Sequence, residues 1–152
     1  MTNFITPEGL GKFKQEYQER LERRKKLGKA VKTAKEHGDL SENADYAAAK
    51  AQQGENERRL NWLRCVIEKA EVVKKKGMDK VELGCLVELA KQGKKNNALK
   101  VRLVGTHEVN PAQGKISHVS PLGKAVLGKK NGEEIEVETP NGKEKYKIKK
   151  IN

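Results

Sequence analysis

Four acidic side chains cluster between residues 36 and 45, and their type and spacing are suited to metal-assisted chemistry. They are Glu36, Asp39, Glu42 and Asp45, with no lysine or arginine among them. Mg²⁺ takes six oxygen ligands and is usually held by one or two carboxylates together with water and phosphate. The cluster therefore predicts part of a metal site, with the remaining ligands supplied by another macromolecule.

Asp39 and Glu42 are the pair that such a site would use. In two-metal phosphoryl chemistry one ion activates water and the other stabilises the leaving oxygen. If one protein supplied two carboxylates to an ion that another macromolecule binds weakly, the ion would be stabilised and hydrolysis would begin. The same Asp-x-x-Glu spacing is also typical of a capping box, in which both side chains satisfy backbone N–H groups at a helix start.

Two long helices are predicted on either side of this cluster. Thr6 and Pro7 form a helix-start pattern, and apolar residues then recur at steps of three and four. Gly38 breaks the pattern, and a second helix is predicted to run to about Lys76 and end at Gly77. The first apolar seam is Leu10, Phe13, Tyr17, Leu21, Leu27, Val31 and Ala34; the second is Ala44, Ala48, Ala51, Leu60, Leu63, Ile67 and Ala70.

Seams this narrow are typical of a coiled coil, so the helices are expected to form an antiparallel hairpin. Roughly 30 residues per helix at about 1.5 Å rise give a hairpin on the order of 45 Å long. The stretch 20–35 holds eight basic residues and one acid, Glu22, so a basic shaft would end in an acidic tip. A solvated face would explain the basic shaft equally well.

Short strands are predicted after Gly77, where the periodicity changes from helical to alternating. Alternation is clear from Leu83 to Leu89, and Pro140-Asn141-Gly142 between two alternating runs predicts a β-hairpin. A short capped helix is expected from Ser120 to Leu127. The predicted domains are therefore a hairpin over residues 1–77 and a β-rich domain over residues 78–152.

The composition favours an anionic partner. The net charge is +12, 36% of residues are charged and 35% are hydrophobic. No apolar run approaches the ~20 residues of a membrane span, and the N-terminus lacks a signal-peptide pattern. Reduced cysteines at 65 and 85 and a cytoplasmic location without membrane contact are expected.

The segment from Lys35 to Gln53 resembles the tip signature of the GreA/GreB family of transcript cleavage factors. Its centre is Glu36-His37-Gly38-Asp39-Leu40, followed by Glu42-Asn43-Ala44 and Tyr46. The likeness continues through Arg102-Leu103-Val104-Gly105, Ser120-Pro121 and Thr139-Pro140-Asn141-Gly142, so it covers essentially the full chain.

The resemblance implies an α+β fold, with a long antiparallel α-helical coiled-coil hairpin followed by a small FKBP-like antiparallel β-domain. It implies a factor that is not an enzyme by itself and is a monomer when free. Its hairpin would enter the secondary channel of bacterial RNA polymerase. Asp39 and Glu42, with polymerase carboxylates, would hold the second catalytic Mg²⁺, and the polymerase would cut the 3′ end of its backtracked RNA.

Four further residues acquire roles from the resemblance. Lys35 and Lys50 match basic residues beside the tip and are expected to contact the nascent RNA 3′ end. Ser120 and Pro121 match a motif expected to dock on the polymerase, although a helix cap and turn explain that pair equally well. Asp45-Tyr46 is similar to GreB and Gln52-Gln53 to GreA, which leaves the subtype open.

Two other functions compete with transcript cleavage. A regulator on the same scaffold would occupy the channel and inhibit the polymerase without promoting cleavage; Asp39 and Glu42 would then be dispensable. A general nucleic-acid-binding protein would use the basic shaft alone, and its affinity for free RNA or DNA would fall steeply with salt.

Overall fold

A computed structural model of the chain describes residues 3–37, 43–77, 79–93 and 98–152. By its contacts the chain divides into two compact units. One unit is Leu10–Lys69, and the other combines Met1–Gly9 with Ala70–Asn152.

Helix α1 spans Pro7–Glu36 and begins where the sequence predicts. The Gly9 N–H donates to the Thr6 hydroxyl over 3.1 Å, so Thr6 caps the helix, and Pro7 occupies the first helical position. The Glu108 carboxylate accepts the Thr6 N–H at 2.9 Å and the Gly105 N–H at 3.0 Å, and it also accepts the Thr6 hydroxyl. The start of α1 is thereby tied to the β-rich unit.

Helix α2 spans Ala44–Glu68 and is shorter than predicted. The expected end near Lys76 and Gly77 is wrong, because the chain leaves the helix at Lys69 and forms strand β2, Ala70–Val72. This strand pairs in parallel with β1, Asn3–Ile5. Pairing with the N-terminal strand therefore overrides the helical pattern that the local sequence continues.

Side-chain contacts between α1 and α2 run in opposite sequence order, which establishes the antiparallel hairpin. Phe13 meets Trp62 edge to face at 5.6 Å between ring centroids, and Arg59 donates to Glu16 over 2.7 Å. Further along, the Asn43 side chain reaches the Ala34 carbonyl at 2.7 Å. The two helices of the predicted hairpin thus pair along their length.

The apolar seam of α1 is as predicted where it is most buried, at Leu27 and Ala34, but the seam of α2 differs. Ala44, Ala48 and Ala51 are exposed, whereas Ala49 and Asn56 are buried with Leu60 and Leu63. The predicted seam near the tip is therefore wrong. The buried positions of α2 include Asn56, which is polar. A search for apolar periodicity passes over Asn56 and therefore misplaces the seam near the tip.

The β-rich unit is built on a five-stranded sheet in the order β5-β4-β3-β7-β6. The strands are β3 Leu86–Lys91, β4 Ala98–Val104, β5 Lys115–Ser117, β6 Glu134–Thr139 and β7 Gly142–Ile151. The Asn-Gly hairpin is confirmed, with Thr139 opposite Gly142. The α+β class is confirmed, but the sheet is mixed because β5 runs parallel to β4.

The core of this unit comes from alternate residues of the sheet. Val87 and Leu89 on β3 and Leu103 on β4 are fully buried, as is Ile148 on β7. The predicted short helix is α3, Pro121–Val126, and Val126 belongs to the same buried cluster. Cys85 is buried and Cys65 exposed, both as free thiols.

The two compact units divide the chain differently from the predicted domains 1–77 and 78–152. Residues before Leu10 and residues 70–77 group with the sheet. Asn3–Ile5 pairs with Ala70–Val72, and the Thr6 and Gly105 N–H groups both donate to Glu108, so these segments are held together with the β-rich unit.

Candidate functional site

The base of the hairpin tip is formed by the last turn of α1 and the first turn of α2. Asp39 and Glu42, the predicted metal-binding pair, lie outside the described residues, whose nearest members are His37 and Asn43. His37 and Asn43 are therefore the described residues nearest to the predicted pair.

Asn43 is the cap of α2. Its side-chain oxygen accepts the Tyr46 N–H at 3.1 Å, and its backbone is extended with φ −85° and ψ 99°. Asn43 thus satisfies one of the N–H groups at the start of α2. The sequence reasoning missed Asn43, although an asparagine directly before an alanine-rich helix is a strong cap signal.

A shallow groove lies between the helices next to this base. It has a volume of about 450 Å³ and is lined by Ala30, Thr33, Ala34, His37, Asp45, Ala48, Ala49 and Gln52. Most of these residues are small, so the helices leave a gap that larger side chains would fill. Asp45 is exposed in the first turn of α2, which places one of the four acids at the rim.

The predicted RNA-binding lysines lie on either side of the base. Lys35 is exposed in the last turn of α1, and Lys50 is exposed on α2 with its ammonium 3.3 Å from the Gln53 side-chain oxygen. Lys29 and Lys32 are also exposed on α1. Among the described residues none of these four lysines forms an ion pair.

A polar cluster crosses the hairpin farther from the tip. Glu16 accepts from Arg59 at 2.7 Å and from Arg20 at 2.9 Å, and Arg59 stacks on Trp62 at 4.2 Å from the ring centroid. Buried Asn56 donates to the Arg20 carbonyl at 3.1 Å and accepts from the Arg20 guanidinium at 3.2 Å. The sequence analysis missed this cluster, because a search for apolar periodicity passes over polar and charged residues at these positions.

Glu16 is strongly held as an anion in this cluster. The hydrogen bond from Arg59 is the main cause of a Glu16 pKa lowered from 4.5 to about 2; partial burial opposes the shift and Arg20 adds to it. The same hydrogen bond raises the pKa of Arg59. The cluster is therefore charged at neutral pH and links α1 to α2 through complementary charges.

Ser120 and Pro121, the predicted docking pair, lie at the start of α3. The Ser120 hydroxyl accepts the Gly123 N–H at 3.0 Å and donates to the Ser117 carbonyl at 2.6 Å. Ser120 therefore serves as the cap that the alternative interpretation describes. Pro121 follows at the first helical position with its ring exposed.

An apolar hollow of about 430 Å³ lies in the same unit. Phe4 and His118 meet edge to face at 5.7 Å between ring centroids and form part of its wall. Leu127, which is 44% exposed, also lines the hollow, as do Lys74, Lys76 and Lys80. Sequence reasoning missed the hollow because it is assembled from four separate segments of the chain.

Metal-binding clusters and membrane-spanning helices are both absent from the described residues. No group of three or more His, Cys, Asp or Glu side chains is placed to hold a metal ion in the described ranges. No described helix has the length and apolar character needed to cross a membrane.

Comparison with known proteins gives matches along both halves of the chain. Residues 3–72 match the family described as "Transcription elongation factor, N-terminal", and residues 74–152 match "Transcription elongation factor, GreA/GreB, C-term". Among solved structures, GreA factor homolog 1 of Thermus thermophilus aligns over 100% of this chain and 99% of its own, with 27% identity and a TM-score of 0.47.

Curated relatives agree with the family matches. Transcription elongation factor GreA of Lachnoclostridium phytofermentans is 39% identical over 152 residues, which cover 98% of this chain and 94% of that protein. Transcription elongation factor GreA of Brucella canis is 37% identical over 147 residues, 95% and 93% of the two proteins. The chain belongs to the GreA/GreB family of transcription elongation factors.

Proposed function

We propose that this chain stimulates RNA polymerase to cleave the 3′ end of backtracked RNA, and thereby rescues arrested elongation complexes. One observation carries the proposal: in a GreA/GreB chain, an antiparallel hairpin ends in two anchored helix termini that bracket the Asp39–Glu42 segment. A hairpin with helices of 30 and 25 residues has the reach to deliver that segment into a channel.

The chain would act by completing an active centre that belongs to the polymerase. Asp39 and Glu42 would add two carboxylate ligands to those of the polymerase for a second Mg²⁺, which when bound supplies an activated water for phosphodiester hydrolysis. Two carboxylates suit that ion but are too few to hold it alone, which fits a factor with no hydrolytic activity of its own. The cytoplasm, where the polymerase acts, would be its location.

Two further surfaces would support this action. Lys35 and Lys50, exposed beside the tip base, would bind phosphates of the extruded RNA. The β-rich unit would dock on the polymerase through Pro121 and the apolar hollow walled by Phe4 and Leu127. The lysines around the hollow favour a polymerase surface that is apolar at its centre and acidic at its rim.

A transcript-cleavage assay tests the proposal on stalled, backtracked complexes of the cognate polymerase. It compares the wild type with Asp39→Asn/Glu42→Gln, each with and without Mg²⁺. We expect shortened RNA only with the wild type, polymerase and Mg²⁺ together, while the double variant still binds polymerase. The length of the released fragment would distinguish GreA-like from GreB-like activity.

Glu36→Gln is the matched control, because it removes one exposed negative charge from the last turn of α1 without removing a proposed ligand. Circular dichroism of all variants shows whether a loss of cleavage is accompanied by a loss of helix content. Full cleavage by the double variant would overturn the roles of Asp39 and Glu42. Binding of the wild type without cleavage would instead favour the channel-occupying regulator.

A further inference from the structure

The side chain of Asn43 connects the two helix ends that flank the tip. Its amide nitrogen donates to the Ala34 carbonyl at 2.7 Å, and its amide oxygen accepts the Tyr46 N–H at 3.1 Å. The Ala34 carbonyl also accepts the His37 N–H at 3.2 Å. One side chain thus contacts the last turn of α1 and the first turn of α2 at once.

Asn43 contacts the Ala34 carbonyl and the Tyr46 N–H, and both belong to helix ends, where the regular i to i−4 hydrogen bonds run out. The last four carbonyls of a helix and its first four N–H groups have no i to i−4 partner. Ala34 is within the last four residues of α1, and Tyr46 is within the first four of α2. Asn43 therefore satisfies one terminal acceptor of α1 and one terminal donor of α2.

Asparagine is suited to this position because it carries a donor and an acceptor on one short, planar group. Serine and aspartate also cap helices well, but a carboxylate has no donor, and a serine carries its one oxygen a single bond from Cβ, with no further atom to extend across to Ala34. Capping alone would accept any of the three. The bond to Ala34, which is 6% exposed, is the feature that only the amide provides.

We propose that Asn43 is a positioning residue for transcript cleavage, acting through its bond to Ala34 rather than through its cap. The inference rests on the proposed function. By joining positions 34 and 43, the bond fixes both points from which the carboxylate-bearing segment departs and reduces the conformations open to it. Catalytic groups displaced by about 1 Å can lose on the order of 10²-fold in rate, so a fixed base matters.

Asn43→Ser separates the two functions of the side chain, since it keeps a neutral cap and removes the amide nitrogen that reaches the Ala34 carbonyl. In the cleavage assay we expect the maximal rate at saturating factor to fall at least about tenfold. The factor concentration that gives half-maximal cleavage and the helical circular dichroism should stay at wild-type values. A merely structural role would instead lower the helix content or the apparent affinity.

Asn61→Ser is the matched control, because Asn61 is an exposed asparagine on the same helix. A second readout needs no polymerase: amide hydrogen exchange, measured by NMR on the full chain. In Asn43→Ser we expect exchange at His37 to accelerate several-fold while Tyr46 stays protected by the remaining cap.

The outcomes separate the inference from the proposed function. Wild-type cleavage by Asn43→Ser, or unchanged exchange at His37, would overturn the positioning role and leave the proposed function standing. Absence of cleavage with the wild type would overturn the proposed function and the positioning role with it. Reduced maximal rate together with faster exchange at His37 would establish both.

Discussion

Ser120 and Pro121 show how one residue pair can carry a structural and a proposed functional role at different atoms. The Ser120 hydroxyl uses its donor on Ser117 and an acceptor site on Gly123, so its hydrogen bonds are made within the unit. Pro121 exposes its ring beside that cap. A polymerase contact at this motif is therefore expected to fall on Pro121.

We predict that Pro121→Ala weakens binding to RNA polymerase while the β-rich unit stays folded. Alanine is tolerated at the first helical position, and the Ser120 cap is untouched. The expected loss of affinity is on the order of fivefold, equivalent to about 1 kcal/mol. Fluorescence anisotropy of a labelled chain titrated with core polymerase measures it.

Pro111→Ala is the control for this measurement. Pro111 is likewise exposed, and it occupies the first position of the short 3₁₀ turn Pro111–Gln113 in the same unit. Equal affinities for wild type and Pro121→Ala would leave the Ser120-Pro121 motif with its capping role alone.

Helix caps were the residues most readily predicted from sequence, and one of them shows the limit. Thr6 and Ser120 were identified correctly because each precedes a proline at the first helical position. Asn43 was missed because the Asp39-x-x-Glu42 spacing four residues earlier gives the same signal. The sequence offers two cap patterns in this acid-rich segment, and only the observed start of α2 at Ala44 shows that Asn43 is a cap.

At the scale of the helices, the polar cluster around Glu16 joins α1 to α2. The unfolded carboxyl takes up a proton near pH 4.5, whereas the folded one does so only near pH 2, chiefly because of the hydrogen bond from Arg59. The folded pKa is the lower one, so the stabilisation is present above pH 4.5 and is lost as pH falls towards 2.

We predict that Glu16→Gln lowers the free energy of unfolding at neutral pH by on the order of 1–2 kcal/mol, allowing for solvent screening of a partly exposed pair. The difference from the wild type should shrink towards zero as pH approaches about 2. Urea unfolding followed by circular dichroism at several pH values measures it.

Glu19→Gln on the same helix is the control, since Glu19 is exposed and bonds only to Gln15 among the described contacts. A constant gap between wild type and Glu16→Gln down to pH 2 would show that the ion pair with Arg59 does not stabilise the fold.

Elements defined by local pattern were predicted better than those defined by distant pairing. The Pro7 start of α1 and the Thr139–Gly142 hairpin depend on neighbouring residues, and both were predicted. The end of α2 was not, because β2 exists only through pairing with Asn3–Ile5, more than sixty residues earlier. The mixed sheet was missed for the same reason, since nothing local specifies that Lys115–Ser117 joins β4 in parallel.

Over the whole molecule, positive charge is shared between the two units. Residues 10–69 hold 15 of the 33 basic and 10 of the 21 acidic side chains, a net +5, and the remaining 18 and 11 give the other unit +7. Charge this evenly spread attracts any polyanion, which makes salt dependence the property that separates a polymerase factor from a general nucleic-acid-binding protein.

We predict that the isolated chain binds single-stranded RNA weakly and that this binding is lost by about 0.2 M salt, whereas polymerase binding through an apolar hollow persists. Fluorescence anisotropy with labelled RNA and with labelled polymerase across a salt series measures both. Lys29→Gln/Lys32→Gln should reduce the RNA salt slope by about 1.4, at roughly 0.7 for each phosphate that is no longer neutralised.

Lys149→Gln/Lys150→Gln on β7 removes the same charge from the other unit and is the matched control. An equal reduction in slope would mean that RNA binding follows net charge and not the α1 lysines. Tight RNA binding that survives about 0.3 M salt, with none to polymerase, would contradict the polymerase factor. It would leave the acidic tip without a role, because a phosphate-binding shaft gains nothing from carboxylates at its end.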